Sequence, residues 1–423
     1  MAEKRFSSYD LEKLLSHESG YSNFCFLNSN GAPAGSYCGL SKFDYLAGIH
    51  VLDEITVQDN TLSALDEFIK RYHDKWKFGY ISYDVKNEIE KLTSSNEDKM
   101  LLPTVHFFVP QIVLVSEGGE IKIINQQNNQ EQVMTTTPVE LRAEQHKKSV
   151  QLKPRFSKKE YLDAVTDLKT HIQQGDIYEV TFCQEFSNTN VHINPFETYV
   201  KLNEASRSPM SCFYKSGSNY LISSSPERFL AKRGNKLFSQ PIKGTAARSL
   251  SREEDEILKE MLVQSEKERA ENIMIVDLVR NDLSHIAMQG SVQVDELLGA
   301  YSFKKVHQLI STVSCEVKND TPFSEILRAT FPMGSMTGAP KIKAMQLIEE
   351  FEKTKRGLFS GAVGYIAPNG DFDFNVVIRS IIYNALNKNV SVQSGGAITI
   401  QSDPEQEYEE SLLKAQAMMD ALR

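Results

Sequence analysis

Residues 360–400 read SGAVGYIAPNGDFDFNVVIRSIIYNALNKNVSVQSGGAITI. Segments 360–366, 376–383, 390–392 and 397–400 are β-rich, and turns such as Pro368-Asn369-Gly370 separate them. No helical period falls between them. Strands that cluster, rather than alternate strictly with helices, predict an α+β fold and not a doubly wound sheet. Upstream, 177–186 and 220–223 also look like strands, and Ser157 is placed to cap a helix that ends at Gly175. Residues 272–283 are apolar nearly all round, which predicts a buried helix in which Asp277, Arg280 and Asp282 must find partners. Downstream, 404–422 reads as a terminal helix.

Toward the N-terminus, 62–72 has helical spacing, and 105–115 and 121–124 look like strands around Gly118-Gly119. Residues 125–148, rich in Gln, Asn, Thr and Glu, read as an exposed linker. The expected division is an N-terminal α+β region, 1–153, and a larger region, 154–423, with the first pairing into the second around one sheet core. The 423 residues are 40% hydrophobic, enough for a substantial core. Net charge is -9, which disfavours a nucleic-acid partner. The five cysteines (Cys25, Cys38, Cys183, Cys212, Cys315) are scattered and form no CxxC pair. Free thiols in a reducing cytoplasm are expected. No apolar run reaches the ~20 residues of a membrane helix, and no signal peptide is evident.

Several residues are suited to chemistry. Lys243 stands in Gln240-Pro241-Ile242-Lys243-Gly244-Thr245, a turn shaped by Pro and Gly. A desolvated lysine there has the makings of an amine nucleophile, although a lone lysine is ordinarily solvated. Glu268 and Glu271, and Glu407 and Glu410, each lie three apart, so each pair shares a helical face. Facing each other, the four would need a cation, and an oxygen-only set suits Mg²⁺. Spacing alone equally describes solvated helix decoration. Glu227, in Ser224-Ser225-Pro226-Glu227, follows a strand and is a candidate general acid. Arg379 can pair with a carboxylate, and glycine clusters such as Ser394-Gly395-Gly396 can bring backbone N–H groups close to an anion. His307 beside an apolar strand is more often structural than catalytic.

Taken together, Gly175-Asp176-Ile177-Tyr178, Ser224-Ser225-Pro226-Glu227, Glu271-Asn272, Val276-Asp277-Leu278-Val279-Arg280-Asn281-Asp282, Gly338-Ala339-Pro340-Lys341 and Gly361-Ala362-Val363-Gly364-Tyr365 resemble the chorismate-utilising enzyme family, in the same order. The resemblance covers most of 155–423. It implies an α/β/β/α layering of two packed, mostly antiparallel sheets. It further implies Mg²⁺ on Glu271 and Glu410, with Glu268 and Glu407 holding metal-bound waters. Glu227 takes the place of the general acid, and His307 that of a histidine near the C4 hydroxyl. Lys414, Arg379, Gly395, Gly396, Ser335 and Thr245 fall among the substrate-binding groups.

Within the family, isochorismate-forming relatives use a lysine where Glu179 stands, and amine-using relatives commonly carry Gln there. Water is therefore not the expected nucleophile. Pro241-Ile242-Lys243-Gly244-Thr245 resembles the aminodeoxychorismate synthase component I branch, which implies a lysine adduct at C2 and amination at C4. Amination at C2, as in anthranilate synthase component I, is the alternative. Phe359 stands where those enzymes usually carry Tyr, and Phe26-Leu27-Asn28-Ser29 matches their tryptophan-binding segment poorly. Feedback by tryptophan is not expected. Ammonia would come from a glutamine amidotransferase subunit. Lys243 must be uncharged to attack, and burial is expected to lower its pKa.

Overall fold

The sequence NFCFLN, 23–28, sets the frame. In a strand successive side chains turn to opposite faces. In the computed structural model, which describes residues 5–6, 8–17, 20–31, 43–136 and 149–423, Phe24 and Phe26 enter one apolar cluster and Cys25 enters another. The same alternation holds one strand away, where Phe213 joins the first cluster and Cys212 and Tyr214 the second. A sheet with two apolar faces must be covered on both.

That sheet runs from Glu120–Asn125 through Val105–Glu117, Tyr45–Val57, Asn23–Asn28, Met210–Ser216, Asn219–Ser225, Ser380–Asn384 and Asn389–Ile398 to Glu179–Asn188, every pairing antiparallel. The long Tyr45–Val57 and Val105–Glu117 strands carry the chain into a second sheet. There Lys77–Ile81, Ala362–Ile366, Phe372–Val376, Arg228–Arg233, Lys236–Gln240, Val306–Glu316 and Gln293–Ser302 follow in turn. Strands from either side of residue 153 share both sheets.

The inner faces pack through Tyr214 of the first sheet against Tyr80 and Phe108 of the second, and helices close both outer faces. Thr61–Arg71, Glu266–Ser284 and Phe323–Thr330 supply Leu65, Ile275 and Leu327 on the second sheet, while Pro195–Ser206 and Pro404–Ala421 supply Tyr199 and Met418 on the first. The order is α/β/β/α, as expected. Among the described residues no helix is long and apolar enough to cross a membrane. Cys25, Cys183, Cys212 and Cys315 are buried free thiols, and Cys38 lies outside the described residues.

Three expectations change. The helix Glu266–Ser284 is buried on one side only: Asp277 and Arg280 stand exposed and pair with each other at 2.8 Å, and Asp282 alone of the three is buried, on Lys341. Part of the expected linker is a strand, Gln130–Thr136, paired antiparallel with Glu120–Asn125 and, at its end, parallel with Arg5–Phe6. Residues 137–148 lie outside the described residues. The expected strand 376–383 breaks into Phe372–Val376 and Ser380–Asn384, and the two expected strands 390–392 and 397–400 are one, Asn389–Ile398.

Candidate active site

Lys243 lies on the strand Ile242–Ala247, which pairs with Val306–Glu316 through a register shift between Ile242 and Thr245. Gly244, at φ 91°, makes that bulge, and a Cβ there would sit 3.1 Å from Glu268 Oε2. The turn therefore lies directly against the Glu266–Ser284 helix, whose first turn is capped by Ser265. Lys243 Nζ donates to Glu179 Oε1 at 2.9 Å, with side-chain exposures of 12% and 0%. Burial pulls the amine's pKa down, but Glu179, Glu271 and Glu227 outweigh it and the pKa is raised. The resting side chain is an ammonium. This corrects the expectation of a lowered pKa: sequence shows burial but not the three carboxylates that surround it.

Glu227 follows the Asn219–Ser225 strand and is buried. Its backbone carbonyl accepts from Val376 N, and its Oε1 accepts from Ser335 Oγ at 2.6 Å. Burial raises its carboxyl to about 7, against the opposing pull of Ser335 and Lys243. A carboxyl group that holds a proton near neutrality can act as a general acid.

The two glutamate pairs come from different helices. Glu271 is raised to about 7 by burial, with Glu179 and Glu268 adding to the effect against Lys243. On the Pro404–Ala421 helix, burial raises Glu407, and Glu410 adds to it. Burial also works against Glu410, but Lys414 and Lys267 bring it below the ordinary value. Lys267 approaches Glu271 at 3.9 Å and its charge reaches Glu407 and Glu410, so the two helices face each other. Among the described residues no three such side chains are closed tightly enough to hold a metal as they stand. The donor set nevertheless fits Mg²⁺, since it is all carboxylate oxygen and is under-neutralised at Glu271 and Glu407. Gly396 leaves the room: a Cβ there would lie 2.9 Å from Glu407 Oε2 and 3.5 Å from Glu410 Oε1.

Lys414 Nζ donates to Gly395 O at 3.0 Å and pairs with Glu410. Gly395 is glycine for packing, because its Cβ would fall 1.9 Å from Phe182 O in the next strand. Arg379 is held at φ 51° and donates to Lys414 O at 3.2 Å, and burial lowers its pKa. Ser335 faces Glu227, as given above. His307 is buried and bound between Ser302 Oγ at 2.8 Å and Asp255 Oδ1 at 2.9 Å, with Asp255 in turn on Arg248. Thr245 is exposed and meets Gln308 at 3.5 Å.

Two features go beyond the sequence reading, which named Glu179 by its place alone, without a role, and did not name Arg356. Glu179 is a full member of the site, and its second oxygen, Oε2, is buried without a partner among the described residues. Arg356, buried and paired with Glu352, donates to Met336 O at 2.6 Å and Thr181 O at 2.8 Å, which ties the Ser335 loop to the strand of Glu179. Glu352 and Arg356 lie beyond the Lys341–Phe351 helix, so no helical period in the sequence pointed to the pair.

Residues 26–420 match the family of chorismate binding enzymes. Over 362 residues the chain is 34% identical to aminodeoxychorismate synthase component 1 of Bacillus subtilis (strain 168), covering 81% of this chain and 76% of that protein. Over 392 residues it is 33% identical to anthranilate synthase component 1 of Aquifex aeolicus (strain VF5), covering 85% and 79%. The crystal structure of anthranilate synthase component I from Streptococcus pneumoniae TIGR4 superposes with a TM-score of 0.73 at 27% identity, covering 88% of this chain and 91% of that one. The chain belongs to the family of chorismate binding enzymes.

Proposed function

We propose that this chorismate binding enzyme aminates chorismate at C4, giving 4-amino-4-deoxychorismate, and that Lys243 forms a transient covalent bond at C2. Overall similarity does not choose the product, since relatives at 34% and 33% identity divide between the two aminations. Lys243 carries the reading: its amine lies among Glu179, Glu227 and Glu271, where direct amination at C2 would need no protein amine.

Chorismate brings two carboxylates. Arg379 and Lys414, with the backbone at Gly395 and Gly396, receive them. Glu271 and Glu410 would hold Mg²⁺, with Glu268 and Glu407 on its waters, and the ion would supply charge neutralisation and orientation of the ring. Lys243 Nζ attacks C2, both double bonds of the ring diene shift, and the C4–O bond breaks as Glu227 protonates the departing hydroxyl. Ammonia then attacks C4, the electrons shift back, and the C2–Nζ bond breaks. Two displacements replace one awkward substitution and put nitrogen where oxygen was. A glutamine amidotransferase subunit supplies the ammonia.

The test is product identity. Purified protein is incubated with Mg²⁺, chorismate and ammonium at alkaline pH, and the product is read by mass and absorbance. Fluorescent anthranilate refutes the reading. Lys243→Ala is expected to abolish the covalent adduct seen by intact-protein mass, and an undiminished adduct assigns the attack to another residue.

A further inference from the structure

Nothing above gives Glu179 a task. It begins the Glu179–Asn188 strand, wholly shielded from solvent, and its carboxylate meets the one amine of the proposed mechanism at 2.9 Å. Its position is fixed from two sides. The ladder pairs it with Ala339, and the backbone of Gly338 comes so close that a Cβ there would lie 2.1 Å from Glu179 O. Two residues on, Thr181 O is held by Arg356. The carboxylate is poorly satisfied, because Oε1 has the Lys243 ammonium and Oε2 is buried with no partner among the described residues.

We propose that Glu179 is the base that takes the proton from Lys243 and keeps it while the covalent adduct exists. The inference rests on the reading of Lys243 as the nucleophile. A lysine ammonium has no lone pair, so one N–H bond must break before Nζ can attack. The proton crosses the existing hydrogen bond to Glu179, leaving Nζ neutral and the carboxyl neutral. Attack at C2 then makes Nζ a secondary ammonium while the C4 hydroxyl leaves as water with the Glu227 proton. When ammonia bonds to C4 and the C2–Nζ bond breaks, the pair returns to Nζ and Lys243 departs uncharged. The amino product gives a proton to Glu227, and Glu179 returns its own to Lys243, so both groups end as they began.

The other charged groups facing Lys243 are less suited. Glu227 comes from the turn after Asn219–Ser225, and its task needs a proton held for the leaving group. Glu271 on the Glu266–Ser284 helix acts on the amine through its charge and belongs to the proposed metal set. Glu410 on the terminal helix is engaged by Lys414, and the Cys183 thiol is buried and protonated, raised to about 12.

The experiment measures adduct formation in single turnover, without ammonium, by acid quench and intact mass. The series runs from pH ~6.5 to ~9.5, below the ~10.4 of a free lysine. Glu179→Gln keeps size and a hydrogen-bond acceptor and loses only the capacity to take a proton. Its adduct is expected to form about tenfold to a hundredfold more slowly at neutral pH, with the gap narrowing as pH rises. Glu179→Asp, which keeps the base at longer reach, is expected to recover part of the rate. A slowing by the same factor at every pH, no slowing, or an Asp variant no better than the Gln variant overturns the assignment of Glu179 while leaving Lys243 as nucleophile. Absence of any adduct in the parent protein overturns the reading of Lys243 and this inference with it.

Discussion

Replacing Glu227 with Gln separates the work of this carboxyl from its cost. Burial holds its folded pKa at about 7 against an ordinary value of 4.5. Above pH 4.5 the unfolded chain gives up this proton while the folded chain keeps it. The unfolded state then binds fewer protons, so stability falls as pH rises, until the folded group also ionises near pH 7. The interval is about 2.5 pH units, and at about 1.36 kcal/mol for each the group costs ~3 kcal/mol above pH 7. Gln fills the same volume, can still accept from Ser335 Oγ, and has no proton to lose. The assay is cooperative urea unfolding of parent and variant at pH ~5 and ~8, with the difference taken between them. Glu271, raised to about 7 in both proteins, cancels from that difference. The unfolded group is already partly ionised at pH ~5, so the variant is expected to gain about 2 to 3 kcal/mol on the parent between the two pH values, and to lose about a hundredfold or more in turnover with the general acid. Parallel stability curves would show that Glu227 is ionised in the folded protein at neutral pH and would remove it as the proton donor.

Glu271→Gln is expected to blunt the Mg²⁺ dependence of turnover. In the parent the half-saturating metal concentration is expected to rise about tenfold per pH unit below 7, since the carboxyl must lose its proton to bind the ion. A metal titration unchanged by the substitution counts against Glu271 as a ligand. Gly396→Ala places a methyl group 2.9 Å from Glu407 Oε2, and the Mg²⁺ requirement is expected to rise about tenfold to a hundredfold in a turnover titration. Arg379→Lys replaces a planar fork with a point charge, and the KM for chorismate is expected to rise about tenfold or more, against a role for Arg379 confined to the backbone if it does not.

Local chemistry was legible and tertiary closeness was not. Ser157 and Gly175 bound the Lys158–Gln174 helix because a cap and a left-handed stop are set by neighbours in sequence. Gly395-Gly396 read as a turn between two strands, yet the chain runs straight through them, since glycine here answers to the adjacent Phe182 backbone. Arg379 looked like mid-strand, and its positive φ comes with contacts to Ser224 and Lys414 that no local pattern announces. The spacing of three put Glu268 with Glu271 and Glu407 with Glu410 on single faces. That the faces meet, with Lys267 between them, is a property of two helices more than a hundred residues apart. Lys243 was found by its turn, but the sign of its pKa shift depends on Glu179, Glu227 and Glu271, brought in from three separate elements.

The resting site explains how so many carboxyl groups share one cleft. Glu179, Glu227, Glu268, Glu271, Glu407 and Glu410 face the four cations Lys243, Lys267, Lys414 and Arg379. Two of the six, Glu227 and Glu271, titrate at about 7, so near neutrality the cleft retains protons in place of missing counter-charge. In the proposed reaction a divalent cation arriving at Glu271 would displace one of those protons and add charge. A dianionic substrate arriving on Arg379 and Lys414, as proposed, would bring the opposite charge. The two ligands carry opposite charge into one cleft, so each should bind more tightly in the presence of the other, by the same factor in either order. Calorimetric titration of chorismate with and without Mg²⁺, and of Mg²⁺ with and without a non-reacting chorismate analogue, closes that cycle, and two independent affinities would break the argument.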